Sequence, residues 1–356
     1  MNKTETTLLK GVGILLIIGH NFQYLVSALP GVNEFVFERE NVAAFLSAPS
    51  LLSLLAYLGH YGVQIFIFLS AYGLTLSHPL PAQRGEGRGE GPNRRYTHFI
   101  RTRFARLYPS FLLAILAWAL WKGLPHGLLG PIDQLRTHFP SILWKLSLVS
   151  NLVRGEQLSL VGPWWFLPFI FQFYLLFPLL QRLPPKGLLA VSLASLLITI
   201  ALNETVLPGG FLYATPLGHL PEFCVGIAWA RTPNARISLP LALTALLVFL
   251  IGNFVEAAWY LSHLSVLVLF LATWPLLRRA LEPAKRFLLF IGGISMQLFL
   301  VNGFLRDPFM TWAKQSGTGL AAFGWGLASF ATCVAFAWVL WWLESRLPTS
   351  PKQHAE

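Results

Sequence analysis

The sequence predicts an all-α, polytopic membrane protein, on three observations: scarce charge, apolar stretches of membrane-spanning length, and basic residues sorted between the loops. Apolar residues make up 55% of the 356-residue chain and charged residues only 12%, and the mean hydropathy is +0.59. A soluble domain carries about 25% charged residues because its surface must be hydrated. The composition therefore excludes a soluble enzyme, a disordered chain and a fibrous repeat.

Ten apolar stretches approach the roughly 20 residues that a helix needs to cross the hydrocarbon core of a bilayer. They lie near residues 8–29, 52–76, 107–121, 164–180, 188–202, 217–230, 237–254, 259–277, 287–305 and 320–343. The third, fifth and sixth are short, so tilted or partly re-entrant segments stay open. Ten spans are predicted, within a range of eight to ten.

The basic residues between these stretches predict the orientation. With a cytoplasmic N-terminus and ten alternating spans, 19 of the 26 Lys and Arg residues fall on the cytoplasmic side. Cytoplasmic loops are enriched in Lys and Arg, so both termini are predicted to be cytoplasmic. The net charge of +11 is then explained by topology, and no nucleic-acid partner is predicted. Cys224 and Cys333 lie in apolar stretches and are predicted to be buried thiols, with no metal site.

The first apolar stretch has a second interpretation as a cleaved signal peptide. Lys3 and Lys10 resemble the charged start of such a peptide, and Val26-Ser27-Ala28 resembles a cleavage site. The length of the stretch and the polar pair His20-Asn21 within it favour a permanent helix.

A single membrane-embedded domain is predicted over residues 1–347, followed by a short cytoplasmic tail at 348–356. Within the domain, residues 79–95 are rich in Gly and Arg and are predicted to form a flexible cytoplasmic linker. The outer apolar segment 142–153 is a candidate interfacial helix.

Ionisable residues inside apolar stretches are costly and are therefore functional candidates. His20 lies near the middle of the first stretch, where a neutral imidazole is able to accept a proton as a general base. The alternative is a histidine that only hydrogen-bonds to a neighbouring helix. Glu222 is the second candidate, either paired with a base or capping a helix that starts at Pro221.

Other polar and aromatic residues are expected to have structural roles near the ends of spans. His60, His219 and His263 are expected to be solvated at the interface. The tryptophans near span ends, such as Trp118 and Trp164, are expected to be interface anchors.

A basic cluster precedes the third apolar stretch at Arg101, Arg103 and Arg106. On a helix, Arg103 and Arg106 share one face, and two adjacent guanidiniums suit the bidentate binding of phosphate. Contact with lipid headgroups or plain anchoring on the cytoplasmic side is the alternative.

Five segments, taken in order, resemble the acyltransferase family 3 membrane proteins. They are Leu9 to Phe22, with Lys10, the glycines and His20; Gly62 to Tyr72; Arg101 to Pro109, with Arg103, Arg106 and Tyr108; Trp165-Phe166-Leu167 with Gln172 to Pro178; and Ile291 to Asn302, with Gly292-Gly293-Ile294-Ser295.

The resemblance implies transfer of an acyl group, usually acetyl, from cytoplasmic acyl-CoA as co-substrate. The acceptor implied is a hydroxyl of an envelope sugar, a polysaccharide or a lipid-linked glycan precursor at the bacterial inner membrane. His20 then becomes the candidate base, and Lys10, Arg101, Arg103 and Arg106 become candidates for binding the donor. Supporting roles are expected for Asn21, Ser70, Tyr108, Trp165, Tyr174, Glu222 and Asn302.

The sequence also departs from the family pattern. Nine residues separate Lys10 from His20 where the family has ten, which turns the two side chains about 80° apart on a helix. Asn21 is therefore an alternative occupant of the position of the histidine, and Asn302 replaces a late histidine of the family. Two other functions stay open, a proton-coupled transporter or flippase using His20 and Glu222, and a catalytically silent homologue that binds acyl-CoA or lipid.

Overall fold

The computed structural model describes residues 1–26, 34–47, 50–78, 92–206, 211–232 and 234–347. The first half of the chain forms helices α1 (Lys3–Val26), α2 (Arg39–Ser47), α3 (Leu51–Leu58), α4 (Gly62–Ser77), α5 (Pro92–Gly123), α6 (Gly130–Thr137), α7 (Phe139–Leu146) and α8 (Phe166–Leu180). The second half forms α9 (Pro185–Thr205), α10 (Leu220–Arg231), α11 (Leu239–Gly252), α12 (Glu256–Trp259), α13 (Ser262–Ala280), α14 (Lys285–Gly293), α15 (Ser295–Leu305), α16 (Asp307–Gln315) and α17 (Gly319–Ser345). Short 3-10 turns join several of these helices, and no strand occurs in the described ranges, which confirms the all-α membrane class.

Where the structure describes them, the predicted apolar stretches are mostly helical, but fewer than ten of the described helices are long enough to span a membrane. Five described helices are long and apolar enough: Leu52–Ser77, Tyr96–His126, Gly162–Leu180, Pro185–Thr205 and Gly319–Ser345. A sixth span results if Ser262–Ala280 and Glu282–Gly293, bent by 71° at their junction, are counted together. The helices α10, α11 and α15 are short for a crossing, so the prediction of ten spans is not confirmed.

The chain separates into two compact units, each built from two segments. The first unit comprises Met1–Arg84 and Leu179–Gly293, and the second comprises Gly85–Pro178 and Ile294–Glu356. Most of the predicted linker, residues 79–91, lies outside the described residues, as does the tail 348–356. The helix α5 already begins at Pro92, within the segment predicted as linker.

In the first unit, glycines let α1 lie against its neighbours at backbone distance. A Cβ at Gly62 would lie 2.5 Å from the Gly13 carbonyl oxygen, and one at Gly11 would overlap the carbonyl of Leu288 on α14. Small residues allow such close packing of membrane helices, where van der Waals contact replaces the hydrophobic effect. Gly62 and Gly13 therefore allow α1 to pack closely against α4, and Gly11 allows it to pack closely against α14.

The core of the first unit is formed by apolar side chains from α1, α4, α13 and α14. Leu9, Phe68 and Leu267 are almost completely buried at its centre. Cys224 is also buried in this unit, and Cys333 is buried in the second; both are free thiols, as predicted.

The second unit is held by polar contacts between distant segments. Lys122 on α5 pairs with Asp307 at the start of α16. Near the middle of α5, Ser110 donates to the Glu344 carboxylate of α17, and Gln297 of α15 donates to the same oxygen at 2.7 Å.

The segment between α5 and α8 folds into short helices rather than one interfacial helix over 142–153. Its centre is Lys145 on α7, whose side chain is fully buried. The Lys145 ammonium donates to the carbonyls of Glu156 at 3.0 Å and Gln157 at 2.7 Å. These hydrogen bonds stabilise the position of Glu156 and Gln157 against α7, in the segment that precedes Trp164 and α8.

Candidate functional site

His20 is buried in the first unit, as its place in the first apolar stretch predicts. Its side chain is 3% exposed, and Nδ1 lies 2.6 Å from the carbonyl oxygen of Ala56 on α3. A carbonyl only accepts hydrogen bonds, so Nδ1 carries the proton. In the neutral ring Nε2 is then the basic nitrogen, which is the state that a general base requires.

The position of His20 depends on a close approach between α1 and the turn after α3. A Cβ at Gly59 would lie 2.5 Å from the Leu16 carbonyl oxygen and 2.7 Å from the His20 Cβ. The His20 ring stacks on Tyr24 with centroids 5.7 Å apart and meets His60 edge-on at 5.3 Å. Glycine at position 59 is therefore required for the present placement of His20.

The three histidines expected at the interface are buried in the first unit, so that expectation was wrong. His60 is 2% exposed, His219 is 1% exposed and His263 is 2% exposed. The 3-10 turns that carry His60 and His219 fold against helices from elsewhere in the chain instead of ending in solvent. His263, in the first turn of α13, lies in ring contact with Tyr61 and His219.

Glu222 is also buried, at 1% exposure. Its Oε1 lies 3.4 Å from Nδ1 of His219, so of the two alternatives the structure favours pairing with a base. In the described part of the chain, the start of α10 has no side-chain capping hydrogen bond.

The basic cluster lies on α5 in the second unit. The guanidinium of Arg103 lies over Phe99, 5.3 Å from the ring centroid, and 5.9 Å from that of Tyr174 on α8. Arg106 also interacts electrostatically with Tyr174, so the two arginines share a face as predicted from their spacing. Arg103 is half-buried, whereas Arg101 and Arg106 are exposed.

Three other residues from the family-like segments of the second unit serve its packing. The Tyr108 hydroxyl donates to the Leu146 carbonyl at 3.0 Å, and Trp165 is buried. The side-chain amide of Asn302 donates to carbonyls of its own helix, 3.1 Å from Leu298 and 2.7 Å from Phe299.

The tryptophans Trp118 and Trp164 are not interface anchors, contrary to expectation. Trp118 is 3% exposed and Trp164 is completely buried. The indole of Trp164 donates to the Leu300 carbonyl at 2.8 Å, which ties the segment before α8 to α15.

The remaining candidates lie on α1 and α4 of the first unit. Lys10, Asn21 and Ser70 are half-buried. Lys10 precedes His20 by ten residues, which is about 15 Å along the helix axis. The two side chains therefore cannot act on the same atom.

Motif spacing did not predict two polar features of the structure. One is the burial of His60, His219 and His263, and the other is the contact of Ser110 and Gln297 with Glu344. One signal in the sequence could have found the histidines. His60, His219 and His263 lie inside the predicted stretches 52–76, 217–230 and 259–277, and an ionisable residue within a span is a functional candidate irrespective of any motif.

The long apolar helices are those of a membrane protein, and a comparison with protein families assigns its class as an acyltransferase. The family model of acyltransferase family 3, described as an acyltransferase domain, matches residues 5–342. The chain belongs to this family, which favours an enzyme over a transporter. No curated protein and no solved structure matches the chain significantly.

Proposed function

We propose that the protein is an O-acyltransferase of the bacterial inner membrane, with both termini in the cytoplasm. It moves an acyl group, in the first instance acetyl, from cytoplasmic acyl-CoA to a hydroxyl of an envelope sugar or lipid-linked glycan. The observation that carries this proposal is the hydrogen bond from Nδ1 of His20 to the Ala56 carbonyl, which leaves Nε2 basic.

The chemistry assigned to His20 follows from this tautomer. The acceptor hydroxyl gives its proton to Nε2 as its oxygen attacks the thioester carbonyl. The carbon–sulfur bond then breaks, and coenzyme A leaves as a thiolate. General base catalysis of this kind contributes about 10²- to 10⁴-fold to the rate.

The donor-binding role is assigned to the basic side chains on the predicted cytoplasmic side. Coenzyme A carries a pyrophosphate and a 3′-phosphate, and guanidiniums bind phosphate oxygens in pairs. Arg103 is held in place by Phe99 and Tyr174, so less side-chain entropy is lost when it binds. Arg106, Arg101 and Lys10 supply further positive charge.

The test uses the purified full-length chain in nanodiscs with radiolabelled acetyl-CoA and glycan acceptors. His20→Gln is expected to lower kcat by about 10²- to 10⁴-fold with donor affinity unchanged. Full turnover in His20→Gln would refute the assignment of the base.

Donor binding is measured separately by equilibrium dialysis. Arg103→Ala is expected to weaken it by roughly 10- to 100-fold, since hydrogen bonds to charged groups contribute about 1.5–3 kcal/mol. Arg279→Ala, an exposed charge on the same predicted side, is the matched control. Equal affinities in the two variants would contradict the role of Arg103.

A further inference from the structure

A series of buried titratable side chains leads away from His20 within the first unit. The ring of His20 meets that of His60 with centroids 5.3 Å apart. His60 contacts Tyr61 at 4.0 Å, and Tyr61 contacts His263 at 5.7 Å. Ring centroids at 4.5–7 Å, or closer, are in direct contact, so each member touches the next.

The series continues from His263 to Glu222. The rings of His263 and His219 lie 5.3 Å apart, and His219 reaches the Glu222 carboxylate at 3.4 Å. His20, His60, His263, His219 and Glu222 are each at most 3% exposed. We refer to these five residues together with Tyr61 as the histidine chain.

The imidazoles of the histidine chain contact the main chain as well as one another. His60 interacts with the backbone of Tyr57, and His263 interacts with that of Glu34. Within the described residues, Oε2 of Glu222 is buried without a hydrogen-bond partner. A carboxylate oxygen is a hydrogen-bond acceptor, so this atom is a candidate to receive a proton.

The histidine chain ends at a small cavity next to Glu222. This cavity has a volume of about 10 Å³ and is lined by Glu222, Tyr213, Thr199 and Tyr260, among others. That is close to the space of a single water molecule. Among the residues that the structure describes, the Tyr213 hydroxyl beside it also has no hydrogen-bond partner.

We propose that the histidine chain carries the proton taken up by His20 to Glu222, and so returns Nε2 to its basic state after each turnover. This inference rests on the proposed function. The hydroxyl proton moves from the acceptor to Nε2 of His20 and on to His60. The Tyr61 hydroxyl accepts a proton from His60 as it gives its own to His263. His219 then passes a proton to the Glu222 carboxylate, which releases it to water. The departing thiolate takes its proton from cytoplasmic water, so one proton enters and one leaves for each ester formed.

The predicted topology gives this transfer a direction. If the chain crosses the membrane ten times from a cytoplasmic N-terminus, as the sequence predicts, α10 starts on the outer side. Glu222 lies in its first turn. The proton would thus be released on the side from which a glycan acceptor approaches. His60, His263 and His219 are positioning residues in this scheme, since they act through His20 and not on the substrate.

The central member, His263, provides the test. In His263→Phe the ring is kept but proton transfer is interrupted, and kcat is expected to fall by about 10- to 100-fold with unchanged donor affinity. Millimolar imidazole is expected to restore part of the rate, because a small base can remove the proton from His20. The solvent deuterium isotope effect on kcat is expected to rise as proton release becomes limiting.

Trp259→Phe is the matched control. Trp259 contacts the His263 ring with centroids 5.9 Å apart, so its replacement disturbs the same packing without removing a titratable group. The proposal is overturned if His263→Phe turns over like the wild type. The proposal is also overturned if His263→Phe and Trp259→Phe lose the same fraction of the rate and imidazole does not restore the rate of His263→Phe. Failure of the proposed function has a different result: the wild type would show no acyl transfer, or the wild type and His20→Gln would turn over equally.

Discussion

Replacement of Gly59 by alanine tests whether the close approach at this residue holds His20 in place. The added Cβ would lie 2.5 Å from the Leu16 carbonyl oxygen and 2.7 Å from the Cβ of His20. Ordinary contact begins near 3.4 Å, so α1 and the turn must separate by about 0.7–0.9 Å. Neither neighbour is the end of a flexible side chain, and the displacement therefore moves His20 itself.

Two effects of different size are expected from Gly59→Ala. Overpacking of a close contact costs about 1–3 kcal/mol of stability. A displacement near 1 Å at a reacting group costs about 10²-fold in rate. Activity should therefore fall far more than stability.

The assay combines kcat for acyl transfer with thermal unfolding in the same detergent. Gly73→Ala is the control, because a Cβ at Gly73 on α4 meets nothing within 4 Å. It is expected to keep full activity and to gain up to about 1 kcal/mol from higher helix propensity. Wild-type kcat in Gly59→Ala would refute the reasoning, since the overlap would then be relieved without moving the base.

Three further predictions concern stability. Gly292→Ala would overlap the Thr7 carbonyl whereas Gly293→Ala meets nothing within 4 Å, so only the first is expected to lower the unfolding temperature; equal temperatures would contradict the packing of α1 on α14. Trp164→Phe removes the donor to the Leu300 carbonyl and is expected to cost about 1–3 kcal/mol; an unchanged midpoint in chemical denaturation would show that this bond is dispensable. Desolvation lowers the pKa of Lys145 from 10.5 to about 8, so between those pH values the unfolded chain binds more protons than the folded one and stability rises with pH. The rise is on the order of 3 kcal/mol, and Lys145→Met is expected to lose it; an identical pH dependence in the variant would contradict the shift.

Much of the fold follows from composition and periodicity, because an apolar stretch in a bilayer has to satisfy its backbone internally and so becomes helical. The spacing also placed Arg103 and Arg106 on one face, and His20, which lies within an apolar stretch of the sequence, is buried. These are local properties of one segment, and they can be predicted from the segment alone.

Whether a residue at the end of an apolar segment is buried or solvated could not be predicted in this way. His219 looked solvated because an apolar stretch ends beside it, yet Tyr213 and His263 cover its ring. That cover depends on how separate parts of the chain pack, which a single sequence does not encode in any short-range pattern. The same reason explains why Glu344 was not linked to Ser110 in advance.

The partner of the His20 Nδ1 is a main-chain carbonyl, and this has an evolutionary consequence. In many enzymes the tautomer of a histidine is set by a carboxylate side chain, which a single base change in the gene can remove. Every amino acid at position 56 would offer the same oxygen, provided that α3 keeps its course. Mutation at that position is therefore limited by the space around Ala56, which is fully buried, and not by hydrogen-bonding chemistry. The tautomer of His20 is therefore insensitive to the identity of the side chain at its hydrogen-bond partner, as long as the helix itself persists.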